Sequence, residues 1–313
     1  MENLLIVSGQ VAVLFALMAV GFACQKTKAL TEVGIGDAVT LLVCVVNPCL
    51  IAHAFNRRFD PAMMKGLLIA LAIGFVTHLV LIFLARLFFR GGAESTRVVL
   101  KMSSVFSNAG FMGVPLEQAI LGPEGVFYGV AYVVVFNLFI WSWGLAQCAD
   151  GKITLNRKMF LNPGMYAITA GLAVFLLPFD LPSIASRTLE SIAAMNTPLA
   201  MIMIGYYLGG ARFAAVFRLP AAYGAVAFRL VLAPLLVIGA LFFFRHTLDR
   251  TLILALVIPA SAPVAAMTSM FAARYERDVD LSAALVSVTT LLSIVTMPVL
   301  IAVAMALTLI HVR

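Results

Sequence analysis

Apolar residues run along this chain in long, nearly uninterrupted blocks separated by short polar turns. The blocks cover residues 4–24, 33–55, 62–89, 96–121, 125–147, 163–177, 184–208, 220–244, 251–273 and 282–309. A helix needs about 20 apolar residues to cross a hydrocarbon core ~30 Å thick, and most of the blocks meet that length. Hydrocarbon offers no partner to backbone amides and carbonyls, so a spanning segment must be a helix or part of a closed barrel. The blocks lack strand alternation, and the pattern predicts an all-α integral membrane protein with ten transmembrane helices. Met1-Glu2-Asn3 carries no basic residue and no small-x-small site follows the first block. That block is therefore expected to be a retained helix rather than a signal peptide.

Polar breaks interrupt the blocks at matching places. Asn47-Pro48 breaks the second and Asn196-Thr197-Pro198 the seventh, with 149 residues between the asparagines. Pro115 closes the run Ser107-Asn108-Ala109-Gly110-Phe111-Met112-Gly113-Val114 and lies 148 residues before Pro263, which follows Ile258-Pro259-Ala260-Ser261-Ala262. This offset divides the ten spans into five and five, with a join at 150–161. Five is odd, so the halves cross in opposite directions, and residues 1–150 and 151–313 read as two inverted five-helix repeats. Matching broken helices in inverted repeats are where transporters hold substrate, near the bilayer midplane.

Proline removes an amide donor and opens the helix one turn back. Gly113, Pro115, Pro259 and Pro263 mark candidate breaks in spans four and nine, and Pro48 and Pro198 do so in spans two and seven. A half-helix beginning at a break presents free N–H groups and a positive dipole end, which suits an anion. The candidate substrate-binding groups are Asn108, Asn137, Asn47, Asn196 and Ser261. Asn108 stands seven residues before Pro115, on nearly the same helical face. Asn47 and Asn196 are placed to satisfy the carbonyls that their prolines free. Buried asparagines also tie helices together, and both readings stay open for Asn108 and Asn137. Charged groups at depth are functional candidates. Glu117 reads as a coupling group or as a side chain snorkelling outward, and Arg229 as a counter-charge for an anion. His53 and His78 read as packed imidazoles, and Phe136, Phe139, Trp141 and Trp143 as a lipid-facing or interfacial belt.

Composition and charge narrow the class. Hydrophobic residues make up 63% of the 313 and charged residues 11%, against roughly 25% charged in an average soluble domain. No stretch is left for a soluble domain. The net charge of +7 is spread over loops, with thirteen basic residues on one side, among them Lys26, Arg86, Arg157 and Arg277, and seven on the other. That spread argues against nucleic acid. By the positive-inside rule it places both termini outside the cytoplasm, with a bacterial inner membrane as the simplest home. Cys24, Cys44, Cys49 and Cys148 have no CxxC or histidine partner, so neither a disulfide nor a metal site is expected.

The run Asn108-Ala109-Gly110-Phe111-Met112-Gly113-Val114-Pro115-Leu116, the fifth span with Asn137 and Trp141, the ninth with Pro259 and Pro263, and Arg274-Tyr275-Glu276-Arg277-Asp278 before the tenth resemble the auxin efflux carrier family of bacteria and plants. The resemblance covers the whole chain. It implies ten helices in inverted repeats, related in fold to bile-acid sodium symporters, with broken helices four and nine crossing. It further implies a scaffold domain from helices one, two, six and seven, a transport domain from helices three to five and eight to ten, and elevator-type alternating access. Asn108 and Pro115 match the family's fourth-helix asparagine and crossover proline, and Pro263 or Pro259 its ninth-helix crossover proline. Asn137 stands where plant members carry a ligand-facing glutamine. Bacterial members are associated with small dicarboxylates such as malate or malonate.

The expected function is secondary transport of a small organic anion, a carboxylate of that kind or an auxin-like acid. The rivals are a sodium-coupled symporter of a larger organic anion, as in the bile-acid symporters, and an anion channel, which would favour rings of charge or carbonyls. No GxxxxGK[ST], HExxH or GxSxG motif supports a pump or an enzyme. No cofactor is expected, and sodium and proton coupling both stay open, with Ser261, Thr268 and Asn108 as candidate sodium ligands. Membrane lipid and a second copy of the chain in a homodimer are the expected partners.

Overall fold

Polar turn residues set where the helices begin. Asp60 accepts from the Ala62 N–H at 2.8 Å ahead of the helix that Pro61 opens. Thr31 Oγ1 accepts from Gly34 N–H at 3.0 Å, and Asp249 Oδ1 from Thr251 N–H at 2.7 Å. Asp278 Oδ1 accepts from Leu281 N–H at 3.2 Å. Each cap satisfies an amide that the first helical turn leaves without a partner.

The computed structural model describes residues 2–149, 163–176, 181–210, 216 and 219–309. The expected join at 150–161, Leu177 and the basic residues Lys152, Arg157, Lys158, Arg212, Arg218 and Arg313 lie outside the described residues. In chain order the helices are α1 (Glu2–Lys26), α2 (Glu32–Leu41), α3 (Asn47–Phe55), α4 (Pro61–Phe88), α5 (Glu94–Val105), α6 (Val114–Phe139), α7 (Leu145–Cys148) and α8 (Pro163–Leu176). There follow α9 (Ser183–Ala193), α10 (Asn196–Gly209), α11 (Pro220–Ala227), α12 (Ala233–Phe242), α13 (Arg250–Ser261), α14 (Ala266–Arg274) and α15 (Val279–Leu309). Single π-helical turns at Leu42–Val46, Ala109–Gly113, Ile140–Gly144 and Phe228–Leu232 join α2 to α3, lead into α6, join α6 to α7 and join α11 to α12.

The protein is an all-helical integral membrane protein. Among the described residues six helical stretches are long and apolar enough to cross a membrane, and three shorter apolar helices accompany them. The described helices overlap the expected spans with shifted boundaries, and the expected spans 96–121 and 251–273 are each interrupted by non-helical backbone. α6 runs through the expected turn at Gly122-Pro123, where Gly122 takes φ +68° and the chain kinks.

Packing follows the small residues. α1 lies against α10 with Gly21 on the Ile202 carbonyl and Gly205 on the Met18 carbonyl, where a Cβ has no room. Glycine allows such backbone approach between membrane helices. Phe55 of α3 packs at a tilt against Phe127 of α6 with ring centroids 4.7 Å apart, and Phe127 likewise against Phe175 of α8 at 5.1 Å. Two apolar cores result. The chain passes between them at Phe106–Asn108 and at Ala262–Ala265: Phe106 and Ala265 belong to one core, Ala109 and Ala262 to the other.

Three expectations are corrected. Asn47-Pro48 does not break its span, because the π turn before it widens the helix and accommodates the ring at the start of α3. Span seven pauses only for a two-residue turn at Ala194-Met195, with Pro198 in the first turn of α10, where its missing N–H is not needed. Phe136 and Phe139 are not lipid-facing. Both are buried, Phe136 edge-on to Phe106 at 5.6 Å and Phe139 stacked on His78 at 5.5 Å, because their three-residue spacing turns them onto one inward face.

Candidate functional site

Span four loses its helix at Phe106–Asn108, where Phe106 is extended at φ −93° and ψ 111°. Span nine loses its helix after Ser261, and Ala262 and Ala265 are extended likewise. The two segments pair antiparallel, Ser107 opposite Val264. Asn108 N–H donates to the Pro263 carbonyl at 2.7 Å, and Ala265 N–H to the Phe106 carbonyl at 3.0 Å. Val264 N–H turns the other way and donates to Thr289 Oγ1 of α15 at 3.1 Å. Backbone that has left its helix in a membrane must find such partners.

Pro263 lies inside this crossing, and Pro259 one turn before it. A Cβ on Gly113 would come within 3.2 Å of Pro259 Cα, so glycine permits the close approach. Pro115 lies beyond the break, as the second residue of α6, and its carbonyl accepts from Thr197 Oγ1 of α10 at 3.3 Å. Asn108 is 6% exposed and ends the extended segment. The shared helical face with Pro115 does not hold, because a π turn separates them. Two half-helices therefore start at this crossing, at Ala109 and Ala266, with open space around Gly110.

The remaining candidates divide. Ser261 is buried beside the crossing, its hydroxyl donating to the Val257 carbonyl at 2.8 Å. Asn137 is half-buried and its amide donates to the Val133 carbonyl at 2.9 Å, in its own helix. Asn47 and Asn196 meet each other: the Asn196 amide donates to Asn47 Oδ1, rather than either side chain serving a proline-freed carbonyl. Glu117 does not snorkel. It is wholly buried in the first turn of α6, against Gly129, and among the described residues neither carboxylate oxygen has a partner. Arg229 is also wholly buried, on the π turn of Phe228–Leu232; its Nη1 and Nη2 donate to main-chain carbonyls at the ends of α5 and α13, while among the described residues Nε has no hydrogen-bond partner. His78 is packed as expected, with Nδ1 2.8 Å from the Gly74 carbonyl.

Hydroxyls of α15 that were not among the expected site residues also line the crossing. Ser282, Thr289, Thr290 and Ser293 are buried, Thr289 holds the break of span nine, and Ser293 faces Met112. Their seven- and four-residue spacing along one face of the last span was the available signal. Among the described residues, no three His, Cys, Asp or Glu side chains converge as metal ligands.

An all-helical membrane protein whose buried polar groups gather where two interrupted helices cross has the makings of a carrier. Comparison with known proteins agrees. The family described as Membrane transport protein matches residues 6–152 and 149–301. A protein of Methanothermobacter thermautotrophicus named "Uncharacterized transporter" is 28% identical over 87% of this chain and 90% of its own length. A protein of Rhizobium meliloti named "Putative malonate transporter" is 24% identical over 93% of each. The chain belongs to this membrane transport family, that of the auxin efflux carriers, and is a transporter rather than an enzyme.

Proposed function

We propose that the chain is a secondary transporter of a small organic anion, a carboxylate such as malonate or malate, working by elevator-type alternating access in a bacterial inner membrane. In this reading ten helices form two inverted repeats, 1–150 and 151–313. α1–α3 and α8–α10 are the scaffold, and α4–α7 and α11–α15 move with the substrate.

The observation that carries the reading is the antiparallel pairing of two helix interruptions, Ser107 opposite Val264. Transporters bind at such discontinuous helices, and half-helix amino termini there attract anions. The buried positive charge of Arg229 nearby, and the name of the Rhizobium relative, favour a carboxylate. The elevator is supported by the seam between the two groups of helices. Leu14, Phe15, Met18 and Met201 face Met112, Leu116 and Met297 around a small apolar cleft. Methionine is unbranched and adaptable, suited to a surface that must repack as it slides. Glu117, an acidic side chain deep in a span with no fixed partner, is the coupling group of this reading, carrying a proton.

Reconstituted in liposomes, the protein should take up labelled malonate or malate, and an inward proton gradient should speed the uptake. Glu117→Gln keeps the shape of the carboxyl and should abolish that acceleration while leaving exchange of anion for anion. If no organic anion moves under any sodium, proton or voltage gradient, the transport reading is lost. Equal acceleration in Glu117→Gln removes Glu117 as the coupling group.

A further inference from the structure

The last carbonyls of any helix lack donors within it and carry the negative end of its dipole. At the crossing two such ends, those of α5 and α13, are brought together inside the protein. Bare, they would repel each other and leave acceptors unsatisfied. In carriers with broken helices, carbonyls of this kind commonly coordinate the coupling cation.

Here a side chain reaches them. Arg229 Nη1 donates to the Ser104 carbonyl at 3.3 Å and to the Val105 carbonyl at 3.0 Å, both at the end of α5. Nη2 donates to the Ala260 carbonyl, in the last turn of α13. The guanidinium is wholly buried, and among the described residues no carboxylate forms an ion pair with it. Its charge is matched by two helix ends and not by an acidic side chain. The planar fork presents five donors in fixed directions and here reaches carbonyls of both helix ends.

We propose that the Arg229 guanidinium is a tethered cation: it fills the carbonyl cluster that a coupling ion would occupy and makes this carrier independent of sodium. The positive charge then stays with the crossing through the whole cycle. A sodium ion approaching the same carbonyls meets a like charge at oxygens that already accept from the guanidinium. The inference rests on the proposed function only for its transport consequence; occupation of the cluster is tested without substrate.

The test is thermal melting of the purified protein in sodium, potassium or choline chloride at equal ionic strength, and in low, non-denaturing guanidinium chloride. The wild type should melt at one temperature in the three alkali and choline salts. Arg229→Ala vacates the cluster and should melt about 5–10 °C lower in choline. Sodium or free guanidinium should recover part of that loss by binding the folded state. If the alanine variant yields no folded protein, Arg229→Lys and Arg229→Gln decide: the lysine variant keeps the charge and should be the more stable. A sodium-specific rise in wild-type melting overturns the proposal. So does an Arg229→Ala protein that melts like the wild type and ignores every cation, or equal stability of the lysine and glutamine variants. In liposomes the wild type should carry malonate equally in sodium and choline. Uptake that needs sodium sinks the proposal, whereas absence of any uptake counts against the transport reading and leaves the melting result standing.

Discussion

At the scale of single residues, the asparagines separate by what their side chains already hold. Asn196 and Asn47 spend a donor and an acceptor on each other, and Asn196 is wholly buried. Removing one partner leaves the other unsatisfied, at about 1–3 kcal/mol. Asn196→Ala should therefore lower the melting temperature and leave the stabilisation by added malonate intact. The double variant with Asn47→Ala should cost less than the two singles together. Asn108 should behave the opposite way. It sits at the crossing rather than in a side-chain pair, so Asn108→Ala should keep the melting temperature and lose most of the malonate-induced rise. Unchanged malonate stabilisation in Asn108→Ala would place the site elsewhere. The 149-residue spacing of Asn47 and Asn196 was legible in the sequence; the bond between them was not, because a spacing says that two places correspond and not that they touch.

At the scale of elements, hydropathy marked the chain as long apolar helices, since hydrocarbon admits few alternatives to them. It marked the interruptions less well. In span nine Pro263 stands in the break, but in span four the non-helical residues are Phe106-Ser107-Asn108, which contain no proline, and Pro115 follows seven residues later. Proline announces the helix it can begin as readily as the one it ends. The pairing with span nine, which holds Phe106–Asn108 out of the helix, depends on contacts far apart in sequence. Helix packing gives a sharper contrast among glycines. A Cβ on Gly205 of α10 would fall on the Met18 carbonyl of α1, whereas one on Gly36 of α2 meets nothing within 4 Å. Gly205→Ala should part the two helices and cost about 1–3 kcal/mol, as overpacking of a tight contact does. Gly36→Ala should be neutral or stabilise by up to about 1 kcal/mol, since alanine is the better helix former. Melting of the two variants side by side checks this, and equal values would mean that α1 and α10 do not pack as closely as described.

At the scale of the whole molecule, the question is whether the cleft between α1 with α10 and α6 with α15 is a sliding surface or a fixed core. The division of the spans between its two sides was legible only through the family resemblance, because nothing local in Met18, Met112, Met201 or Met297 tells a buried methionine at a moving seam from one in a static interior. The structure adds that the seam is apolar along this cleft and that a hydroxyl, Thr197 to the Pro115 carbonyl at 3.3 Å, bridges it. One such bond contributes about 1 kcal/mol, little against a domain movement. A fixed interior would tolerate a covalent tie across the cleft, and a sliding one would not. Met18→Cys with Met112→Cys, in a background freed of Cys24, Cys44, Cys49 and Cys148, places two thiols on opposite walls. Closing them with a reducible bifunctional thiol reagent should stop uptake of labelled malonate while malonate still raises the melting temperature, and reduction should restore the uptake. Each thiol variant alone, given the same reagent, should transport as before. Wild-type uptake by fully cross-linked protein would show that α1 and the α6 arm keep their places during transport, and the carrier would then have to open by gates around a stationary crossing.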